Sequence, residues 1–441
     1  ANATGIDLDP ANCAASKAAA PGAVIHEADF FTWAEGTSER FDCITGNPPF
    51  IRYHEFNGDT RRRALRLAAR MGAHFSKLTS SWAPFVAVAA GLLKPGGRLA
   101  FVVPAEIGHS TYAPPLLVAL CRRFAAVHIV AVRDKLFPGL SQDAWLLYAE
   151  GYGGRTDRIL LSIQDAFRPS DNVPKVDKHV PLTWWTAAGH RLRKFVLPSA
   201  LLALYEGMTK RIGAAPLGRL ADVGIGYVSG ANDFFHLTSV EAEMYGIPRS
   251  VLRPTVRKGR QLTRDYVDAA LVDAWLATNQ SVLVLDLADE MDLPVPVRRY
   301  VESPEAEQAS KRYKCRVREP WFAIPGLKSP DAFITCMSGR ESRLAINSAG
   351  AVCANSVLAV DLKKRVGHQE LLRAWRHPLA RLSQELEGHP LGGGMLKLEP
   401  GEAERVVVPL TPFRCARTDS DALLEGIRLM RKWRHYDVEC N

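Results

Sequence analysis

The strand-like segment Phe41-Asp42-Cys43-Ile44-Thr45 runs directly into Gly46-Asn47-Pro48-Pro49-Phe50. Two consecutive prolines remove two N–H donors and stiffen the chain. The amide oxygen of Asn47 and the carbonyl of Pro48 can then both act as acceptors toward one ligand amine. Phe50 offers an apolar face on which a flat ring can stack. Such a set suits an exocyclic amine on a flat ring, as on a nucleobase, a poor nucleophile because its lone pair is delocalised into the ring. Two acceptors gripping its two N–H groups pull the nitrogen toward tetrahedral geometry and free the lone pair to attack a methyl group. That is catalysis by positioning and electrostatics, with no covalent enzyme intermediate. A base in a duplex must leave the stack to reach such a loop, as bases do for methyltransferases. As an isolated tetrapeptide the motif is also a rigid turn, so its setting matters.

The setting is an alternation of short elements. Strands are predicted at Gly5–Leu8, Val24–Glu27, Phe41–Thr45, Leu99–Val103, Ala125–Val132 and Ala144–Ala149, with helices at Ala11–Ala19, Arg61–Met71, Ser81–Leu93 and Pro114–Phe124. This pattern predicts an α/β fold with a mostly parallel, doubly wound sheet. Such sheets hold ligands beyond the carboxyl ends of their strands, where Asn47 stands. Lys94-Pro95-Gly96-Gly97 reads as a structural turn ending a helix. Residues 151–210 read as a linker with one helix, Ser199–Arg211. From about residue 215 the alternation is lost, and a separate, irregular mixed domain is expected.

Composition sets the bounds. The 441 residues, 47% of them hydrophobic, can bury a substantial core and suggest two domains. The net charge of +9 is compatible with a polyanionic partner, and it is spread over both halves. Eight cysteines show no metal-ligand spacing and read as reduced packing thiols in a cytoplasm. The longest apolar run, Trp82 to Leu93, contains Pro84 and is too short to span a bilayer. No signal peptide and no metal site are expected.

With these residues in place, the chain resembles the gamma class of amino-methylating DNA methyltransferases, the Taq-type N6-adenine-specific enzymes of restriction–modification systems. The resemblance implies a Rossmann-like class I methyltransferase sheet in residues 1–198, followed by a mixed α+β target-recognition domain in 199–441. It implies S-adenosylmethionine as cofactor and site-specific methylation of a flipped adenine in double-stranded DNA. Asn47, Pro48, Pro49 and Phe50 take the catalytic roles, and Phe137, in Val132–Asp143, would sandwich the adenine against Phe50. Asp7, in Gly5-Ile-Asp-Leu-Asp-Pro10, would bind the cofactor ribose. Asp29 and Phe30 would bind the cofactor adenine, and Phe85, in Ser81-Trp-Ala-Pro-Phe85, would close over it. Val223–Asn232, Arg253–Arg260 and Gly388–Pro400 resemble target-recognition segments. Arg61, Arg62, Arg257, Lys258, Arg260, Lys311 and Arg312 suit phosphate contacts, as do Arg63, Lys314 and Arg316. A cytoplasmic monomer is expected, accompanied by a cognate restriction endonuclease or a fused nuclease domain.

The family's glycine-rich loop is expected ahead of Gly5 and is not found. An N-terminally truncated sheet lacking a central strand is therefore expected, with weak or no cofactor binding by these 441 residues. Other readings remain: an inactive DNA-binding relic or specificity partner, or an amine methyltransferase acting on cytosine N4, RNA or protein glutamine.

Overall fold

The computed structural model describes residues 2–137, 139, 142–183, 191–287, 293–363 and 366–436. The chain divides into two compact units, Ala1–Val196 and Leu197–Asn441.

The first unit opens with β1 (Thr4–Asp7), α1 (Pro10–Ala19), β2 (Val24–Glu27), α2 (Phe30–Gly36) and β3 (Phe41–Gly46). Asp9 caps α1 by accepting from the Ala11 N–H, and Pro10 takes the first helical position, where no N–H is needed. Asp29 caps α2 in the same way through the Thr32 N–H. There follow α3 (Gly58–Arg70), α4 (Trp82–Ala90), β4 (Leu93–Pro104), α5 (Ala113–Cys121), β5 (Phe124–Val132), β6 (Ala144–Tyr152), β7 (Arg158–Gln164) and β8 (Lys178–Pro181). The helix α2 lies outside the expected set, since seven residues give too little periodicity to read.

Six strands form one sheet in the order β3-β4-β6-β5-β7-β8. β3, β4, β5 and β7 point the same way, while β6 and β8 run against them. The direction of most strands is thus the expected one. β1 and β2 pair in parallel as a separate two-stranded ladder, not hydrogen-bonded to the six. β5 is buried at eight of its nine positions to at least half, as befits a strand covered on both faces. β3 instead exposes Asp42, Cys43, Thr45 and Gly46. Helix α5 buries Leu116, Leu117 and Leu120, each contributing about 1.5–3 kcal/mol.

Two expectations are corrected here. Residues 94–97 do not end a helix. They bulge within β4, between the pairings Phe41 with Leu93 and Cys43 with Arg98, and Gly96 has φ +79°. The glycine accepts the left-handed backbone that such a detour requires. The stretch 151–210, expected as a linker, carries β7 and β8, which complete the sheet, before its helix Ser199–Met208. The charged and turn residues around these short strands mask their pattern.

The second unit carries its own cores. One sheet joins, in spatial order, Ala221–Ile225, Val357–Leu362, Ala332–Thr335, Leu344–Asn347 and Tyr266–Val267. Another joins His236–Leu237, Leu283–Leu285, Leu252–Val256 and Val352–Cys353. Gly226 leaves the first of these sheets so close to the Cys353 carbonyl that a Cβ there would lie 2.0 Å from it. The long helix Arg417–Lys432 packs on Pro378–Glu387. The unit is mixed α+β, and more regular than its sequence suggests.

Candidate active site

β3 delivers Asn47 at its carboxyl end, as the α/β pattern requires. Thr45 and Gly46 still pair with Ala100 and Phe101 of β4. Asn47 is exposed, Pro48 is buried, Pro49 is exposed and Phe50 is half-buried. Among the described residues, neither the Asn47 side chain nor the Pro48 carbonyl has a protein hydrogen-bond partner. Both acceptors of the motif are therefore unspent.

The next residues are held tightly. Ser81 Oγ donates to the Pro49 carbonyl and accepts from the Ile51 N–H at 3.0 Å. The Ser81 N–H donates to the Ile51 carbonyl at 3.0 Å. Ser81 directly precedes α4, which carries Phe85 one turn later. Sequence reasoning singled out Phe85 in this segment and passed over Ser81. A serine at the start of the expected helix Ser81–Leu93 was the available signal.

The residues expected around the cofactor come together in part. Asp7 ends β1, with Oδ1 accepting from the Asp9 N–H at 2.8 Å and Oδ2 3.4 Å from Asn12 Nδ2. Asp29 Oδ1 accepts from the Thr32 N–H and hydroxyl at 2.8 and 2.7 Å. Each carboxylate thus has a local structural task, Asp7 at the end of a parallel strand and Asp29 just past its neighbour. Phe30 stacks on Phe85, with ring centroids 3.8 Å apart and planes at 22°. Phe31 and Phe101 meet Phe85 edge-on. No ring fits between Phe30 and Phe85, so a bound adenine would meet an outer face of the pair. The loop between β5 and β6 leaves the same sheet edge as Asn47, because β5 is parallel to β3. Phe137 on it is 38% exposed. Pro138, Leu140 and Ser141 lie outside the described residues.

The basic candidates separate by what their head groups touch. Arg61 donates to the Tyr53 and Phe56 carbonyls at 3.2 and 3.0 Å, bracing the chain after the Asn47 loop. Arg62 pairs with Asp59 and Arg63 with Glu35. Arg257 is half-buried, and its Nη1 donates to the Ser281 carbonyl and hydroxyl at 3.1 and 2.6 Å. Lys258 and Arg260 are exposed. Lys311 pairs with Glu307 at 2.6 Å and Arg312 approaches Asp233 at 3.8 Å, both at the surface. Lys314 and Arg316 flank the ring of the exposed Tyr313. Exposed pairs are worth about 0–1 kcal/mol and can be exchanged for phosphate at little cost.

In the Val223–Asn232 segment, Tyr227 is buried rather than presented to a ligand. The His236 Nδ1 lies 2.8 Å from the Asn232 carbonyl, which accepts only, so Nδ1 carries the proton. Nε2 then accepts from the Tyr227 hydroxyl at 2.7 Å, and Thr255 Oγ1 completes the chain at 2.8 Å. Burial, with the Arg257 charge, pushes the His236 pKa down to about 4. Among the described residues no group of three or more His, Cys, Asp and Glu could hold a metal ion. No described helix is long and apolar enough to cross a membrane.

Comparison with known proteins adds the family. Residues 189–437 match the C-terminal domain of the type II methyltransferase M.Eco57I, and residues 11–122 match the Eco57I restriction–modification methylase. Type II methyltransferase M.XamI of Xanthomonas campestris pv. amaranthicola is 26% identical over 384 residues, covering 83% of this chain and 67% of the relative. M.AccI of Acinetobacter calcoaceticus is 18% identical over 374 residues, covering 83% and 68%. The type IIL restriction–modification enzyme MmeI, solved in complex with DNA, shares the fold with a TM-score of 0.51 at 13% identity, over 93% of this chain and 56% of that one. The chain spans about half the length of such solved structures.

Proposed function

The chain belongs to the family of type II methyltransferases related to M.Eco57I, and from that premise we propose that it methylates N6 of a flipped adenine in double-stranded DNA. The observation that carries this reading is the pair of unspent acceptors, the Asn47 side chain and the Pro48 carbonyl, at the end of β3. An adenine amine offers two N–H donors to them. Their grip localises the nitrogen lone pair, and Phe50 gives the ring a face to lie on. S-adenosylmethionine supplies the electrophilic methyl group. Its adenosine half fits Asp7 and Asp29, two acidic side chains at the ends of adjacent parallel strands, and the outer face of the Phe30–Phe85 stack. Phe137 lies at the same sheet edge and suits the second side of an extrahelical base.

DNA would be drawn in by exposed cations such as Lys258, Arg260, Lys311 and Arg312, whose exposure supports that reading. Arg62 is exposed and exchangeable, whereas Arg61 and Arg257 serve as struts. A nuclease, fused or separate, is a further proposed partner, and a monomer the proposed state. The test is transfer of a tritiated methyl group to unmethylated DNA, RNA and protein, followed by nucleoside analysis. Label in N6-methyladenine of DNA is expected. Label in N4-methylcytosine, RNA or glutamine would refute the substrate assignment.

A further inference from the structure

The Asn47 loop is stiff at its entrance, where Gly46 is paired in the sheet, and must be fixed again at its exit. Only two residues, Asn47 and Pro48, separate the sheet from Pro49. Ser81 fixes that exit with three hydrogen bonds to Pro49 and Ile51. Ser81 is 1% exposed, so no water competes for its hydroxyl. Its neighbours anchor it. Ser80 Oγ lies 3.0 Å from the Tyr112 hydroxyl, and Trp82 Nε1 donates to Glu106 Oε1 at 2.5 Å. The Tyr112 hydroxyl donates to the same Glu106 oxygen at 2.6 Å. Burial and the Glu106 charge push the Tyr112 phenol up, so it keeps its proton as donor. Glu106 stands just past the end of β4, the strand beside β3.

We propose that Ser81 is a positioning residue for methyl transfer: its hydroxyl pins Pro49 and Ile51, and the Ser80–Tyr112–Glu106–Trp82 brace holds Ser81 on the end of β4. The inference rests on the catalytic reading of the Asn47 loop. With Pro49 turned onto Ser81, the two prolines leave the Pro48 carbonyl and Asn47 amide as the acceptors aimed at substrate. Ser81 touches no reacting atom and acts through the loop. A loosened loop misplaces both acceptors, and displacements near 1 Å cost about 10²-fold in rate.

The test uses the full chain with Ser81→Ala, the near-isosteric Ser81→Cys and Asn47→Ala. Amide hydrogen exchange reads the clamp without needing turnover. Ile51 exchange is expected to accelerate at least 10-fold in Ser81→Ala, and less in Ser81→Cys. Tritiated methyl incorporation into unmethylated genomic DNA reads function: kcat should fall about 10- to 100-fold in Ser81→Ala, with the KM for DNA little changed. Unaltered Ile51 exchange in both Ser81 variants overturns the proposal. So does a wild-type kcat in Ser81→Ala beside an inactive Asn47→Ala. If Asn47→Ala instead keeps wild-type incorporation, the catalytic reading of the loop falls, while the exchange result still judges the clamp.

Discussion

Loss of Glu385 should damage the second unit. Its carboxylate is 4% exposed and faces two guanidinium groups, those of Arg434 at 0% and Arg431 at 9%. Arg434 binds it bidentately at 2.9 Å through Nε and Nη2, and Arg431 Nε approaches at 3.3 Å. The guanidiniums also hold backbone: Arg434 donates to the Gly394 and Gly339 carbonyls, and Arg431 to the Arg340 carbonyl. Removing one partner of a buried pair typically costs about 3–5 kcal/mol, because the remaining charge is left uncompensated. Two cations remain after Glu385→Ala, which argues for the upper part of that range, while the retained carbonyl bonds and the Glu341 carboxylate 4.0 Å from Arg431 argue for the lower. For a unit of this size each kcal/mol shifts Tm by about 2–4 °C, so a drop of about 6–20 °C is expected. Tryptophan fluorescence during thermal unfolding measures it, with Trp433 between the two arginines as a reporter. Glu385→Gln should fall less, since it keeps an acceptor. A loss below about 1 kcal/mol in Glu385→Ala would show that the triad is not holding these loops and refute the reasoning.

Below neutral pH the second unit should weaken through His236. Its folded pKa, near 4, lies below the ordinary histidine value of about 6.5. The unfolded chain therefore takes up a proton that the folded chain refuses, and stability falls as pH drops from about 6.5 toward 4, by about 3 kcal/mol in all. Denaturant titrations should record this slope, and His236→Gln should flatten it. Phe85→Leu keeps an apolar side chain but loses the stack on Phe30, worth about 0.5–1.5 kcal/mol; denaturant unfolding of the first unit should record a stability loss of about that size. Lys258→Ala and Lys311→Ala should each lower the salt-dependence slope of DNA binding by about 1. Arg61→Ala should instead lower the Tm, because its guanidinium braces Tyr53 and Phe56.

The contrast between Asn47 and Ser81 explains what could be read from the sequence. Asn47, Pro48 and Pro49 announce themselves because prolines act on their own backbone, and a strand just before them fixes their place in an α/β layout. That information is local, as are the caps Asp9 and Asp29. Ser81 acts across 30 residues on Pro49 and Ile51, and one serine at a helix start carries no mark of such a reach. The same limit governs the arginines. Arg61, Arg257 and Lys258 are alike as charges in a sequence, yet two spend their head groups on backbone carbonyls and one is exposed. Phe30 and Phe85 were each read as cofactor contacts, and their stacking on one another needed the turn of α2 against α4 to become visible. Tyr227 carries the lesson furthest, because its glycine-flanked segment looks like an exposed recognition loop. Gly226 is a glycine for a packing reason, its backbone lying against Cys353, and Tyr227 turns inward to a neutral histidine. Under the proposed function, phosphate contacts of this unit should therefore be sought among side chains with exposed, replaceable partners, such as Lys311 and Arg312, rather than among the motifs with the most distinctive glycines.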